Sequence, residues 1–160
     1  MFYRKAVFDD VAQYAYVEAD IMPDDNTDAR HQLFDIVQDG NIDRPIRVLD
    51  LAIQEVIQML YPYAYTALPQ EIEQLDNSFP TQDSYAISLT VPDGFALNTF
   101  EYIRALIHEY LVCRVLCDWL SICKPSAVPN WNAKIQDIAD KIKSAVIARS
   151  RPLTRRLSPF

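Results

Sequence analysis

The sequence predicts a mainly α fold: a helical bundle with a central buried helix and a small β-hairpin or strand insertion. Three stretches predict it. Residues 98–123 are apolar on nearly every side, which puts a helix at the centre of a bundle. Residues 128–149 carry Trp131, Ile135, Ile138, Ile142 and Val146 at helical spacing on one face, with Lys134, Asp137, Asp140, Lys141 and Lys143 on the other. That is the form of an outer helix packed on the central one. Residues 85–91 alternate, with Tyr85, Ile87, Leu89 and Val91 set against Ala86, Ser88 and Thr90, the period of a strand with one buried face.

In chain order, a first helix is expected from Asp9 or Asp10, either of which can accept from the free amides of a first turn. Val11, Tyr14, Ala15 and Val17 give it a short apolar face, and Pro23 ends it. Thr27 or Asp28 caps a second short helix through Leu33, Phe34 and Val37, closed by Gly40. Asp43-Arg44-Pro45 opens a third, because proline is tolerated in a first turn, where its missing amide hydrogen has no partner to lose. Ile46, Leu49, Ile53, Val56, Ile57 and Leu60 then recur at steps of three and four until Pro62 stops the run.

A long connection rich in tyrosine and proline follows, and after it the strand, turned by Pro92-Asp93-Gly94. A lone strand leaves its backbone groups unpaired, so it needs a partner. The candidates are the 66–79 segment, making a hairpin, or a neighbouring copy. Asn98 or Thr99 caps the central helix, in which Glu101, Arg104, His108, Arg114, Asp118 and Ser121 form a narrow polar stripe. Pro125 ends it. The organisation is one helical domain over residues 1–148, with its β-element near 66–91, and a basic extended C-terminal tail over 149–160.

Charge divides the chain in the same place. Residues 149–160 hold four of the fifteen basic residues and no acid, leaving eleven bases against twenty-two acids, a net −11, in residues 1–148. An acidic body repels nucleic acid and anionic lipid and suits basic partner surfaces. Between Asp9 and Asp28 there are seven acids and no base, which reads either as a solvated face or as a docking surface for a basic partner. The N-terminus has no apolar run of signal-peptide length, and the longest apolar stretch, YLVCRVLCDWLSIC, is too short to span a bilayer. The expectation is a soluble cytoplasmic protein with no membrane contact.

The residues say little about catalysis. Gly40 and Gly94 are the chain's two glycines, both at turns, which excludes a glycine-rich phosphate cradle. Cys113, Cys117 and Cys123 lie within eleven residues of one helix and read as buried reduced thiols rather than a disulfide framework. Glu109, Cys113 and Cys117 share a helical stripe near His108, but no second pair supplies the ligands a metal would need. A cysteine–histidine pair with His31 or His108 has no spacing to support it. Arg114 and Asp118 are set at i, i+4 as a structural ion pair. No catalytic residue, metal, cofactor or small-molecule substrate is expected.

The tail, RSRPLTRRLSPF, is basic and broken by Pro152 and Pro159. It reads either as a solubilising end or as an arm for an acidic surface, on another copy in a ring or on a partner; a passing contact with DNA through such a ring is the third option.

In layout the chain resembles small head–tail connector or adaptor proteins of Bacteroides phages and prophages. The features that carry the resemblance are the strand from Tyr85 to Pro92, the Trp119-Leu120 pair closing the long helix, and the terminal helix running into Arg149, Arg151, Pro152, Arg155 and Arg156. Pro129-Asn130-Trp131 departs from the helical entry such proteins have, leaving the start of the last helix open. The resemblance implies a non-enzymatic ring component whose partners are copies of itself, the portal protein and the next tail protein. It implies the host cytoplasm and then the particle as its location, and those five tail residues as partner-binding. The alternative is a helical module binding an unknown protein.

Overall fold

The computed structural model describes residues 1–21, 27–38, 40–64, 83–91 and 95–150, with backbone alone at 27–30 and 148–150. Its elements are β1 (Phe2–Tyr3), α1 (Arg4–Asp20), α2 (Thr27–Phe34), α3 (Asp43–Met59), β2 (Ser84–Tyr85), α4 (Leu97–Cys123) and α5 (Val128–Ser150). A mainly helical chain with a small two-stranded antiparallel sheet is what the patterning predicts.

Helix α4 is the axis, and α5, α3, α1 and α2 all pack against it. Its second half is buried nearly all round, from Tyr110 through Val112, Cys113, Leu116 and Cys117 to Leu120. The first half is less central, with Phe100, Glu101, Tyr102 and Arg104 exposed. Helix α5 returns antiparallel after a 3-10 turn at Pro125–Ala127 and buries Ile138, Ala139, Ile142 and Val146. The stretch Pro129-Asn130-Trp131 is helical, because the proline falls in the first turn of α5. Helix α3 begins at Asp43 as expected and buries Pro45, Leu49, Ala52, Ile53 and Val56.

Four expectations are corrected. Helix α1 starts at Arg4, well before Asp9, because Val7 and Phe8 already face the core. No side chain caps it; the Arg4 amide instead donates to the Asp83 carbonyl at 3.0 Å, so the sheet takes over the capping. Helix α4 likewise has no side-chain cap from Asn98 or Thr99. It begins at Leu97, and the Ala96 carbonyl accepts from the amides of Thr99 and Phe100. The strand has a partner that neither expectation named, and the 66–79 segment lies outside the described residues. That partner is β1, with Phe2 opposite Tyr85 and Tyr3 opposite Ser84. Among the described residues ladder pairing covers Ser84–Tyr85, although burial continues to alternate at Ile87 and Leu89. Finally, α5 runs to Ser150, so Arg149 belongs to a helical turn rather than to an extended tail.

The bundle has two distinct ends. Helix α1 runs in the same sense as α4, since Asp10 meets His108 while Glu18 meets Lys124 eight residues further along α1. The end of α1, α2, the end of α4 and the start of α5 therefore lie together. The sheet, the start of α4 and the end of α5 lie at the other. No helix among the described residues is long and apolar enough to cross a membrane.

Candidate functional site

Two seams of polar side chains run along α4. On the α1–α4–α5 seam, the Glu109 carboxylate is the meeting point. Lys134 Nζ of α5 donates to its Oε1 at 2.6 Å, Tyr14 Oη of α1 donates at 2.9 Å, and Cys113 Sγ sits one turn on at 3.7 Å. The Lys134 ammonium also lies 4.9 Å from the Tyr14 ring centre and 5.0 Å from that of Trp131, within cation–π range. Further along, Glu18 accepts from Trp131 Nε1 at 3.0 Å and from Lys124 Nζ at 2.8 Å.

Burial pushes the Glu109 carboxyl up, but the hydrogen bonds from Lys134 and Tyr14 outweigh it and leave it below the ordinary range. Burial, then the Glu109 charge, raises the Tyr14 phenol. At Lys134 burial favours the neutral amine, yet the bond to Glu109 wins and holds the ammonium.

On the α3–α4 seam, Arg114 makes a two-pronged contact with Glu55, at 3.0 Å on each prong, and Tyr110 Oη donates to the same carboxylate at 2.8 Å. Arg44 reaches Asp118 at 2.8 Å. The expected Arg114–Asp118 pair is therefore replaced by two cross-helix pairs, each side chain taking a partner on α3. An inter-helix partner offers a less exposed site and, for Arg114, a two-pronged fit that a neighbour one turn away does not. Burial, then Glu55, pushes the Tyr110 phenol up to about 12.

The stripe that suggested a metal site is split among these contacts. Cys113 turns to Glu109, Cys117 Sγ to Asn132 Oδ1 at 3.3 Å, and His108 Nε2 lies 2.6 Å from Asp10. Among the described residues, no group of three or more histidines, cysteines and carboxylates converges as a metal would need. Burial pushes the Cys113 thiol up to about 12, the reverse of an activated nucleophile. His31 is exposed on α2, whereas Cys113 and Cys117 are buried.

One open cleft of about 360 Å³ lies between Tyr102 of α4 and Asp137, Asp140 and Lys141 of α5, where Lys141 is already paired with Asp137. Two apolar dimples of about 10 and 20 Å³ flank Leu89 and Ile103, with room for no more than a water.

The more unusual surface is at the α1–α2 end. Tyr16 and Phe34 pack with ring centres 5.4 Å apart and planes tilted by 46°, and Val17 and Ile21 of the same stretch of chain are also exposed. Of the seven acids between Asp9 and Asp28, Asp10 and Glu18 are turned to partners in the same chain. Of the five tail residues expected to bind a partner, Arg151, Pro152, Arg155 and Arg156 lie outside the described residues. Arg149 is placed by its backbone in the last turn of α5. The exposed aromatic pair was missed from sequence, because Phe34 reads as core by periodicity. The Glu109 seam was missed because Lys134 reads as solvent-facing. Tyr14, an aromatic whose hydroxyl needs a partner when half-buried, was the available signal.

Compared with known proteins, the chain matches no family model, no curated protein and no solved structure.

Proposed function

We propose that this protein is a non-enzymatic structural component of a phage-like particle, an adaptor of the head–tail connector kind that assembles with copies of itself and with portal and tail proteins. The observation that carries the reading is the use made of its polar groups. Two polar clusters beside the core are matched donor to acceptor between helices, Lys134–Glu109–Tyr14 and Arg114–Glu55–Tyr110. Such pairs hold neighbouring helices in register, a property that suits a protein transmitting contacts from one face to another. The particle itself is supplied by the resemblance in layout at Tyr85 to Pro92, Trp119-Leu120 and the arginine-proline tail.

A second reading, a helical module that binds an unrelated protein partner, is favoured by the exposed Tyr16–Phe34 pair, since aromatic side chains are enriched where proteins meet. Co-expression of the full chain with the portal protein from the same genome separates the two. A co-purifying complex with several copies of this chain is expected. A chain that stays apart from the portal at every ratio overturns the adaptor reading and leaves the second.

A further inference from the structure

We propose that the open edge of the strand at Ser84–Ser88 pairs antiparallel with the same edge of a second copy, about a two-fold axis at Ala86. The contact gives a surface to the self-assembly part of the reading above and rests on that part alone.

The strand has one edge taken and one edge open. Phe2 stands opposite Tyr85, and the Arg4 amide donates to the Asp83 carbonyl at 3.0 Å. In an antiparallel ladder successive residues turn their N–H and C=O groups to opposite edges. Asp83 and Tyr85 therefore face β1, while Ser84, Ala86 and Ser88 face away from it. The far edge is bounded where the Thr90 amide donates to the Tyr63 carbonyl at 2.8 Å. Short of that bond, the backbone groups of Ala86 and Ser88 have no partner among the described residues, and both side chains are exposed.

Such an edge is a template for another strand, and chains that avoid the pairing set lysine, proline or a bulge there. From Ser84 to Thr90 this chain has no charge and no proline. Tyr85, Ile87 and Leu89 pack on the core from the inner face, so the edge is held extended before a partner arrives. A sheet of two short strands is marginal by itself. Two copies joined at the open edge make a four-stranded antiparallel sheet with one β1 on each flank.

A second copy fits this edge better than an unrelated strand does. The outward residues Ser84, Ala86 and Ser88 run small-small-small and read the same in both directions. With Ala86 on the axis, each Ser84 meets a Ser88 and Ala86 meets its own counterpart. That self-matching is what an isologous contact requires. The charge of −7 would oppose self-association wherever acids are brought together. Along this strand the acid next to the window is Asp83, which is paired with Arg4. Across the axis the two Asp83 residues stand about 20 Å apart, beyond the Debye length of about 8 Å at physiological ionic strength.

The test uses the full chain with single substitutions at outward, exposed positions. Helical circular dichroism checks that every variant folds. Sedimentation of the wild type is expected to show monomer passing to dimer as concentration rises. Ala86→Lys sets two ammonium groups against each other on the axis and should need at least tenfold more protein to dimerise. Ala86→Ser should behave as the wild type. Opposed residues of a hydrogen-bonded antiparallel pair have Cα atoms about 5.5 Å apart, within disulfide reach. Mild oxidation of Ala86→Cys should therefore give a dimer linked at position 86, mapped by mass spectrometry apart from the three native cysteines. Ser88→Cys places its two thiol-bearing residues about 13 Å apart along the strands and should not link. A wild-type dimer that Ala86→Lys leaves intact, or equal linking at positions 86 and 88, overturns the contact and leaves the adaptor reading standing. A wild type monomeric at every concentration overturns the contact and the self-assembly part of that reading together.

Discussion

Arg114 of α4 and Glu55 of α3 meet through two hydrogen bonds of 3.0 Å, and Tyr110 adds a third to the same carboxylate. Both charged side chains are about two-thirds buried, at 34% and 31% exposure, so the pair is worth more than a solvent-exposed bridge. Glu55→Ala removes the acceptor for two donors at once and leaves a half-buried guanidinium unpaired. A loss of about 2 kcal/mol in denaturant unfolding is expected. Glu55→Ala combined with Arg114→Met should cost less than the two single changes added. Strict additivity in that double-mutant cycle would mean the contact carries no coupling.

The acid limb of stability follows from the same seams. Hydrogen bonding from Arg114 holds the Glu55 carboxyl below its ordinary 4.5. At Glu109 burial opposes ionisation, but Lys134 and Tyr14 depress the carboxyl overall. A carboxyl whose folded value lies below its unfolded one contributes fully above the unfolded value, and the contribution is lost as pH falls through the folded one. Stability should therefore hold well above pH 4.5 and decline below it. Glu55→Gln and Glu109→Gln should each start lower at neutral pH and decline less steeply with acid. Parallel wild-type and variant profiles below pH 4.5 would show that these carboxylates do not drive the loss.

How far the sequence reaches is clearest at α4. Its long apolar run gave both the helix and its central place, because burial on every side leaves a pattern no surface helix has. Helix α5 was readable for the complementary reason, one apolar face repeated over many turns. Strand β1 was not legible: two residues, Phe2 and Tyr3, carry no period, and their role exists only once Ser84–Tyr85 lies beside them. The partners of Arg114 and Asp118 were misread for a similar reason. Spacing along one helix is visible in a sequence, whereas Arg44 and Glu55 come alongside only when α3 packs on α4. The exposed Tyr16–Phe34 pair depends on how α2 crosses α1, a packing angle that composition does not encode.

Thiol chemistry tests the burial of α4 directly. Cys113 and Cys117 are buried and Cys123 is half-buried. Burial raises all three thiols, Cys113 to about 12, so neutral thiols dominate at pH 8. Iodoacetamide followed by mass spectrometry should label Cys123 first, with Cys113 and Cys117 labelled at the rate of unfolding. The sign at high pH is set by the same shift: a folded thiol above its unfolded 9.0 loses stability as pH rises past 9. Labelling of Cys113 as fast as Cys123 in native protein would mean that the α4–α5 seam opens readily.

The short sheet makes the last prediction. Phe2 is 6% exposed and stands opposite Tyr85, whose hydroxyl donates to Asp50 of α3. The Arg4 amide, which begins α1, donates to Asp83, so one two-residue strand serves both to tie down the chain before α4 and to cap α1. Phe2→Ala removes the anchor while leaving the backbone partners intact. A core phenylalanine truncation costs about 3–5 kcal/mol, and a site in a two-residue strand, held by few neighbours, should fall at the low edge of that range. Hydrogen exchange at the Arg4 amide should speed up far more than at Leu116 in the middle of α4, because a local opening is cheaper than global unfolding. If Arg4 exchanges equally fast in wild type and variant, the pairing of Phe2 with Tyr85 is not what holds the Asp83 carbonyl against the start of α1.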